Sequence, residues 1–201
     1  MVPTPEDVPL CVPDPLNPRY SYGGGKIICE LMALNWGLTD FSRVVVFRPH
    51  NVIGPEMGFE HVLPQFALRL LRLAAKHPDG VIPFPIQGSG LETRAFIDVE
   101  DFTDGLVLLL DKGEHRTIYH IGRDREKTIR EAAEAVARSL ARAIEILPGA
   151  LKPGGTLRRC PDIGRMQALG FNPATPFQES VDRLVGWYRE NAHLCPADKV
   201  L

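Results

Sequence analysis

Tyr22 and Lys26 stand four residues apart in the stretch SYGGGKIICE, residues 21–30. On a helix that spacing puts a phenol and an ammonium on one face, one turn apart. A phenol keeps its proton at neutral pH and is a poor base. A cation about 4 Å away stabilises the phenolate by roughly 4 kcal/mol at an effective dielectric near 20, before desolvation takes some of this back. Such a pair can remove a hydroxyl proton and return it while a hydride moves at the same carbon, which is general acid/base chemistry. The three glycines between them suggest a phosphate loop instead, but a Walker-type loop needs a hydroxyl after its lysine to hold magnesium, and position 27 is Ile. Each glycine costs about 1 kcal/mol against alanine inside a helix, so three in a row belong where bulk is unwelcome, at the close approach of a cofactor or substrate. A surface tyrosine and a surface lysine on a weak helix start would carry the same letters.

The surrounding elements must position this pair. Residues 1–19 hold six prolines and little periodicity, an irregular surface segment. From Tyr22, apolar residues at Ile27, Ile28, Leu31, Met32 and Leu34 recur at helical spacing up to Gly37. VVVF, residues 44–47, reads as a short, fully buried strand of a parallel sheet. Helices are predicted over 62–76, 98–110, 129–143, 162–169 and 177–191, and strands over 81–87, 93–97, 117–121 and 144–147. Gly170 is placed to stop the fourth of these helices, and the tail from residue 195 is expected to be disordered. A buried parallel strand needs neighbours on both edges, and only a proline-rich coil and one helix precede VVVF. The chain therefore reads as the C-terminal part of a larger α/β protein.

The composition, 44% hydrophobic and 24% charged with a net charge of -2 over 201 residues, is that of an ordinary globular protein. Lys and Arg total 23 against 25 Asp and Glu and are scattered, so no nucleic-acid partner is expected, while a local anion site is compatible. No apolar run reaches the roughly 18 residues of a membrane span, and residues 1–15 are proline-rich and acidic; no membrane role is expected, and a cytoplasmic protein is. Cys11, Cys29, Cys160 and Cys195 form no C-x-x-C pair and read as free thiols, with no metal site. His50, His115 and His120 lack metal-like spacing and read as structural. Asp98 and Asp101 read as helix-start carboxylates rather than an acid/base pair.

From Pro5 to about residue 192 the motifs follow a familiar order. PEDVPLCVPDPLNPRYSYGGGKIICE, VVVFRPHNVIGP, HVLPQF, GSGLETRAFIDVEDFTDGL, IYHIG, RRCPDIGRMQALGFNP and VGWYREN together resemble the extended short-chain dehydrogenase/reductase family, the NAD(P)-dependent nucleotide-sugar epimerases and dehydratases. The resemblance implies that Tyr22 is the catalytic base and Lys26 its partner, which also holds the nicotinamide ribose. It implies that Pro49, His50, Asn51 and Val52, at the strand end, lie beside the nicotinamide, and that Asn51 meets the substrate's phosphates. Arg94 and Arg159 are implied ligands of the nucleotide diphosphate, in keeping with the bidentate fit of a guanidinium to phosphate. Arg158 is a rival to Arg159, Arg94 has the alternative of an ordinary surface arginine, and Asn51 that of shaping the turn before Gly54-Pro55. Val62 and Leu63 fall in the element near the nucleotide base. His61 matches a histidine that serves as a second acid in the family's epimerase-reductases, a role imidazole suits near neutral pH.

The expected fold class is α/β, the C-terminal part of a Rossmann-type parallel sheet plus a small, mostly helical substrate-binding domain. Residues 1–58 would be the remnant of an NAD(P)-binding domain, 59–192 mainly the nucleotide-sugar domain with interleaved Rossmann-side elements, and 193–201 a tail. The family's G-x-x-G-x-x-G fingerprint is absent from the sequence, as is the serine or threonine upstream of the tyrosine. The chain is therefore expected to be an inactive fragment that neither binds NAD tightly nor turns over substrate. Its parent is expected to be a homodimer that uses NAD or NADP to epimerise a nucleotide-diphosphate sugar. Dehydration, or reduction with NADPH, is the alternative within the family, and a non-catalytic sugar-nucleotide-binding or regulatory module is the alternative of another class. Leu31 and Met32 are expected to be exposed, a patch that invites association.

Overall fold

In the computed structural model, which describes residues 1–151 and 154–196, the elements run α1 (Ser21–Trp36), β1 (Val45–Pro49), β2 (Val52–Ile53), α2 (Val62–Lys76), β3 (Val81–Pro85), β4 (Thr93–Ala95), β5 (Ile97–Asp98), α3 (Val99–Lys112), β6 (Thr117–Ile121), β7 (Glu126–Thr128), α4 (Ile129–Ser139), β8 (Ala143–Leu147), β9 (Arg158–Arg159), α5 (Gly164–Ala168) and α6 (Phe177–Glu190). Four parallel pairings organise them: β1 with β6, β2 with β5, β3 with β8, and β4 with β9, with β7 antiparallel on the other side of β4. Helices connect the parallel strands, as the α/β class requires.

Two apolar clusters hold these layers. In the larger, α2 and α4 pack on the β3–β8 pair and α6 packs against both helices, burying Leu63, Leu70, Phe84, Val136, Leu184 and Tyr188. The apolar residues of α2 repeat every three to four positions, so Leu63, Phe66, Ala67 and Leu70 share its buried face. Thr128 and Glu131 begin α4 with a reciprocal pair of bonds, the Glu131 amide to the Thr128 hydroxyl at 3.0 Å and the Thr128 amide to the Glu131 carboxylate at 2.8 Å. The smaller cluster, Ile97, Leu109, Tyr119, Ile121, Met166 and Phe171, lies among β5, α3, β6 and α5.

Several predicted elements change on folding. VVVF is not fully buried: β1 begins at Val45, pairs with β6 along one edge, and leaves Phe47 exposed, because among the described residues no strand covers its other edge. The single strand predicted over 93–97 divides at Phe96, whose ring turns into the core and stacks on Phe177 at 5.4 Å. The helix predicted to reach 143 stops at Ser139; Ala141 takes φ of 51°, and that turn sends the chain back as β8. The helix predicted over 162–169 is shortened to α5, with the Asp162 carboxylate accepting the Gly164 amide at 2.8 Å, and Gly170 follows it at φ 103°. The four cysteines are free thiols. The tail predicted to be disordered lies outside the described residues from 197 on.

α1 differs from the other long helices. None of its residues is buried, and Tyr22, Ile28, Leu31, Met32 and Trp36 are all exposed. No helix among the described residues is long and apolar enough to cross a membrane.

Candidate functional site

Tyr22 lies in the first turn of α1, three-quarters exposed, and the Lys26 Nζ sits 5.3 Å from the centroid of its ring. The two side chains share a face, with the ammonium over the ring, a cation–π contact. A Cβ at Gly23 or Gly25 would meet nothing within 4 Å. Packing within the chain therefore does not require glycine there, and the space is open to a ligand. A cavity of about 390 Å³ beside this helix is bordered by Val12, Gly23, Gly24, Lys26, Glu30 and Arg48.

Arg48 fixes that cavity. Its Nη2 and Nε donate to the two carboxylate oxygens of Glu30, one helical turn beyond Lys26, at 2.7 and 2.9 Å. Its Nη1 donates to the Glu6 carbonyl at 2.9 Å and lies 3.3 Å from His120 Nε2. One guanidinium thus ties α1, the N-terminal segment and β6 together. Its role went unread in the sequence, where the only signal was an arginine before Pro49 and a glutamate four residues after Lys26. Behind it, the His50 ring lies 4.5 Å from that of His120. Burial, and then the charges of His120, Arg159 and Arg48, push the His50 imidazole down to about 3. It is neutral near pH 7, as a structural histidine would be. Pro49 closes β1 in an exposed position, and Val52 opens β2, half-buried.

A second cavity, of about 740 Å³, opens between α2, the end of β3, and β4. Val62, Gln65, Phe66 and Arg69, at positions i, i+3, i+4 and i+7, present one face of α2 to it, and Asn51, Arg94 and Phe96 border it from the strands. Asn51 has φ of 41°, a left-handed conformation that asparagine tolerates, and its Nδ2 donates to the Ala95 carbonyl at 3.0 Å. It therefore both shapes the turn and lines the cavity. Arg94 stands in register between Lys127 and Arg159. Cross-strand partners share a face, so three cations fall in one row, where like charges repel. Lys127 is paired with Glu131 at 3.0 Å, and the row as a whole suits an anion. Arg158, the rival of Arg159, is engaged with Glu126 at 2.5 Å.

The loop at the cavity's edge depends on Glu92. Its carboxylate accepts the amides of Ser89 at 3.0 Å and Gly90 at 2.9 Å. Gly88 has φ of 83°, and a Cβ there would lie 2.6 Å from that carboxylate, so glycine is required. Burial pushes the Glu92 carboxyl up, but the hydrogen bonds from Ser89 and Gly90 outweigh it and hold it below the usual carboxylate range. Neither Glu92 nor Arg69 was singled out from the sequence.

The structure therefore brings Asn51, Val62 and Arg94 to one cavity and Lys26 to the other. Tyr22, His61, Leu63 and Arg159 border neither of the two. Leu63 follows Val62 by about 100° around α2, which turns its side chain into the core, fully buried. His61 is the exposed residue preceding α2.

Known proteins share this fold. The profile of the NAD dependent epimerase/dehydratase family matches residues 2–122. A probable GDP-L-fucose synthase of Oryza sativa subsp. japonica is 29% identical, over 94% of this chain and 58% of its own. A dTDP-glucose 4,6-dehydratase from Streptomyces venezuelae, solved with NAD bound, matches with a TM-score of 0.71 and 29% identity over 86% of this chain and 52% of its own. A UDP-glucose 4-epimerase from Thermus thermophilus, solved with NAD, matches with a TM-score of 0.71 and 26% identity over 84% of this chain and 53% of its own. This chain spans little more than half the length of each. Matched over most of its length in motif order, profile and fold, the chain belongs to the NAD dependent epimerase/dehydratase family.

Proposed function

We propose that this chain carries the substrate site and the proton-transferring pair of an NAD(P)-dependent enzyme that epimerises a nucleotide-diphosphate sugar. The observation that carries this reading is the larger cavity, which sets Asn51 and Arg94 beside a wall of Phe66, Ile86 and Phe96. Polar groups for phosphates beside an apolar wall for a planar base suit a nucleotide diphosphate. The relatives described above are named for enzymes of GDP-, dTDP- and UDP-linked sugars.

A nicotinamide held beside Tyr22 and Lys26 would supply reversible hydride transfer at the sugar carbon. Tyr22, held as the phenolate by Lys26, removes the hydroxyl proton at that carbon, carries it as the neutral phenol, and gives it back. The residues present fit the nicotinamide end of the cofactor: an exposed phenol, an ammonium over its ring, and two glycines with open space beside them. Pro49, His50, Asn51 and Val52 would line its other side. No glycine fingerprint for the rest of the dinucleotide occurs in the sequence, so this chain is expected to hold nucleotide sugar more tightly than NAD. Arg159 supplies a second guanidinium to the diphosphate, Val62 lies along the base, and His61 is a second acid. The 390 Å³ cavity and the smaller apolar cluster belong to the cofactor side, and the larger cluster to the sugar side. The exposed face of α1 supports pairing with a second copy, in a cytoplasmic setting.

Dehydration is the second reading, supported by the 29% identity with the Streptomyces venezuelae 4,6-dehydratase. Epimerisation stays first because it needs only the tyrosine–lysine pair, whereas dehydration needs a further acid, and Glu30 at the α1 cavity is engaged with Arg48.

A panel of UDP-, dTDP-, GDP- and CDP-sugars followed by thermal unfolding tests the site. A ligand at about a hundred times its Kd should stabilise the fold by about 2.7 kcal/mol and raise Tm accordingly. A folded protein whose Tm no member of the panel moves would not have this site.

A further inference from the structure

Arg69 borders the nucleotide cavity from α2 and lays its guanidinium on an aromatic ring, Cζ 4.4 Å from the Phe84 centroid and 5.4 Å from that of Phe66. Its Nε and Nη2 are closed off from water and meet no hydrogen-bond acceptor among the described residues. Burial pushes the group below its ordinary value, and no opposing charge offsets that. A buried donor left unpaired is costly, and a ring face recovers only part of the loss. The folded chain keeps this arrangement at the wall of an open cavity, where a turn of the long, flexible stem would carry the unpaired edge into the space.

That edge has a definite chemistry. Nε–H and Nη2–H are parallel donors, a fork that matches two acceptors side by side on a planar group. A phosphate offers such a pair, but Asn51 and Arg94 already form the cavity's phosphate end, and the neighbours of Arg69 are the rings of Phe66 and Phe84. Among the bases, guanine presents O6 and N7 together and cytosine presents O2 and N3. Uracil and thymine set a donor between their two carbonyls, and adenine places an amine next to N7.

We propose that Arg69 is the base-reading residue of this cavity, turning from the Phe84 ring to grip a base with two adjacent acceptors, guanine or cytosine, in preference to uracil, thymine or adenine. The assignment rests on the nucleotide-sugar reading of the cavity and adds to it the class of base.

Isothermal titration of GDP, CDP, UDP and ADP into the wild-type chain and into Arg69→Met and Arg69→Lys proteins tests it, with circular dichroism to check folding. GDP or CDP should bind at least about tenfold more tightly than UDP and ADP, and whichever does so identifies the edge that is read. Arg69→Met should bring that ligand down to the affinity of UDP while leaving UDP unchanged. Arg69→Lys should not restore the preference, because an ammonium lacks the fork. If Arg69→Met does not fold, the wild-type preference and the Arg69→Lys protein decide. A wild-type chain that binds all four alike or favours UDP or ADP, or an Arg69 substitution that weakens all four equally through a phosphate contact, overturns the assignment and leaves the nucleotide site standing. A folded chain that binds none of the four removes the site, and the role of Arg69 with it.

Discussion

Replacing Asp98 with alanine is expected to lower the free energy of unfolding by about 4 kcal/mol at neutral pH. The side chain is fully buried and serves two elements at once. Oδ1 accepts the Glu100 amide at 2.9 Å, capping α3, and Oδ2 lies 2.6 Å from Arg183 Nη2 on α6. Loss of the cap alone costs about 1 kcal/mol, and breaking a buried ion pair about 3–5. Arg183 keeps Glu100 at 3.0 Å and Glu179 at 3.8 Å, which moderates the sum. The pH dependence separates charge from packing. Burial pushes the Asp98 carboxyl up, but bonds from Ser180, the Glu100 amide and Arg183 outweigh it and hold the group below its unfolded value of 3.8. The ionised form is therefore favoured by the fold, and its contribution is complete above 3.8 and lost as pH falls through the lower folded value. Urea unfolding of wild-type and Asp98→Ala proteins should show a constant difference from about pH 7 to about 5 that shrinks below about 3.8. A difference that does not change with pH would mean that the carboxylate's charge contributes nothing.

The Arg48→Met protein is expected to lose about 3 kcal/mol of stability, the low end for a broken buried pair. Arg48 and Glu30 side chains are 19% and 12% exposed, so the substitution strands a largely desolvated carboxylate. It also removes the donor to the Glu6 carbonyl that holds the N-terminal segment. Because Glu30 lies one turn beyond Lys26, amide exchange over residues 22–30 should accelerate more than exchange in α2. Arg48→Lys should recover little, since one ammonium cannot reproduce the planar fork on Glu30 together with the bond to Glu6. Stability within about 0.5 kcal/mol of wild type would show that the clamp is incidental.

Most of the helical framework was legible because burial on one face leaves a period near 3.6 over ten or more residues. α2 occupies its predicted span, and α3, α4 and α6 were found with shifts at their ends. Strands of two or three residues leave no period to read, so β2, β7 and β9 went unseen. Yet β7 and β9 flank β4 and place Lys127 and Arg159 beside Arg94. Among the candidate site residues, Tyr22, Lys26, Asn51 and Arg94 were named from short motifs, in which residue types and order carry the signal. Arg69 was not, because an arginine within a helical pattern looks like part of a solvated face. Only the burial of its Nε and Nη2 shows otherwise. Glu92 was hidden for the opposite reason: its hydrogen bonds are to backbone amides of a loop, which residue types do not reveal.

The proposal that the cavity at Asn51 and Arg94 takes a nucleotide diphosphate is tested most directly by following both phosphorus resonances of a nucleoside diphosphate as the chain is added. Saturable shifts or broadening with the wild-type protein are expected, with affinity falling about 10- to 100-fold in an Arg94→Ala protein that remains folded, as befits loss of a charged hydrogen-bond donor. Phosphorus resonances that the wild-type chain leaves unmoved, or an affinity that the Arg94→Ala protein shares, would contradict it.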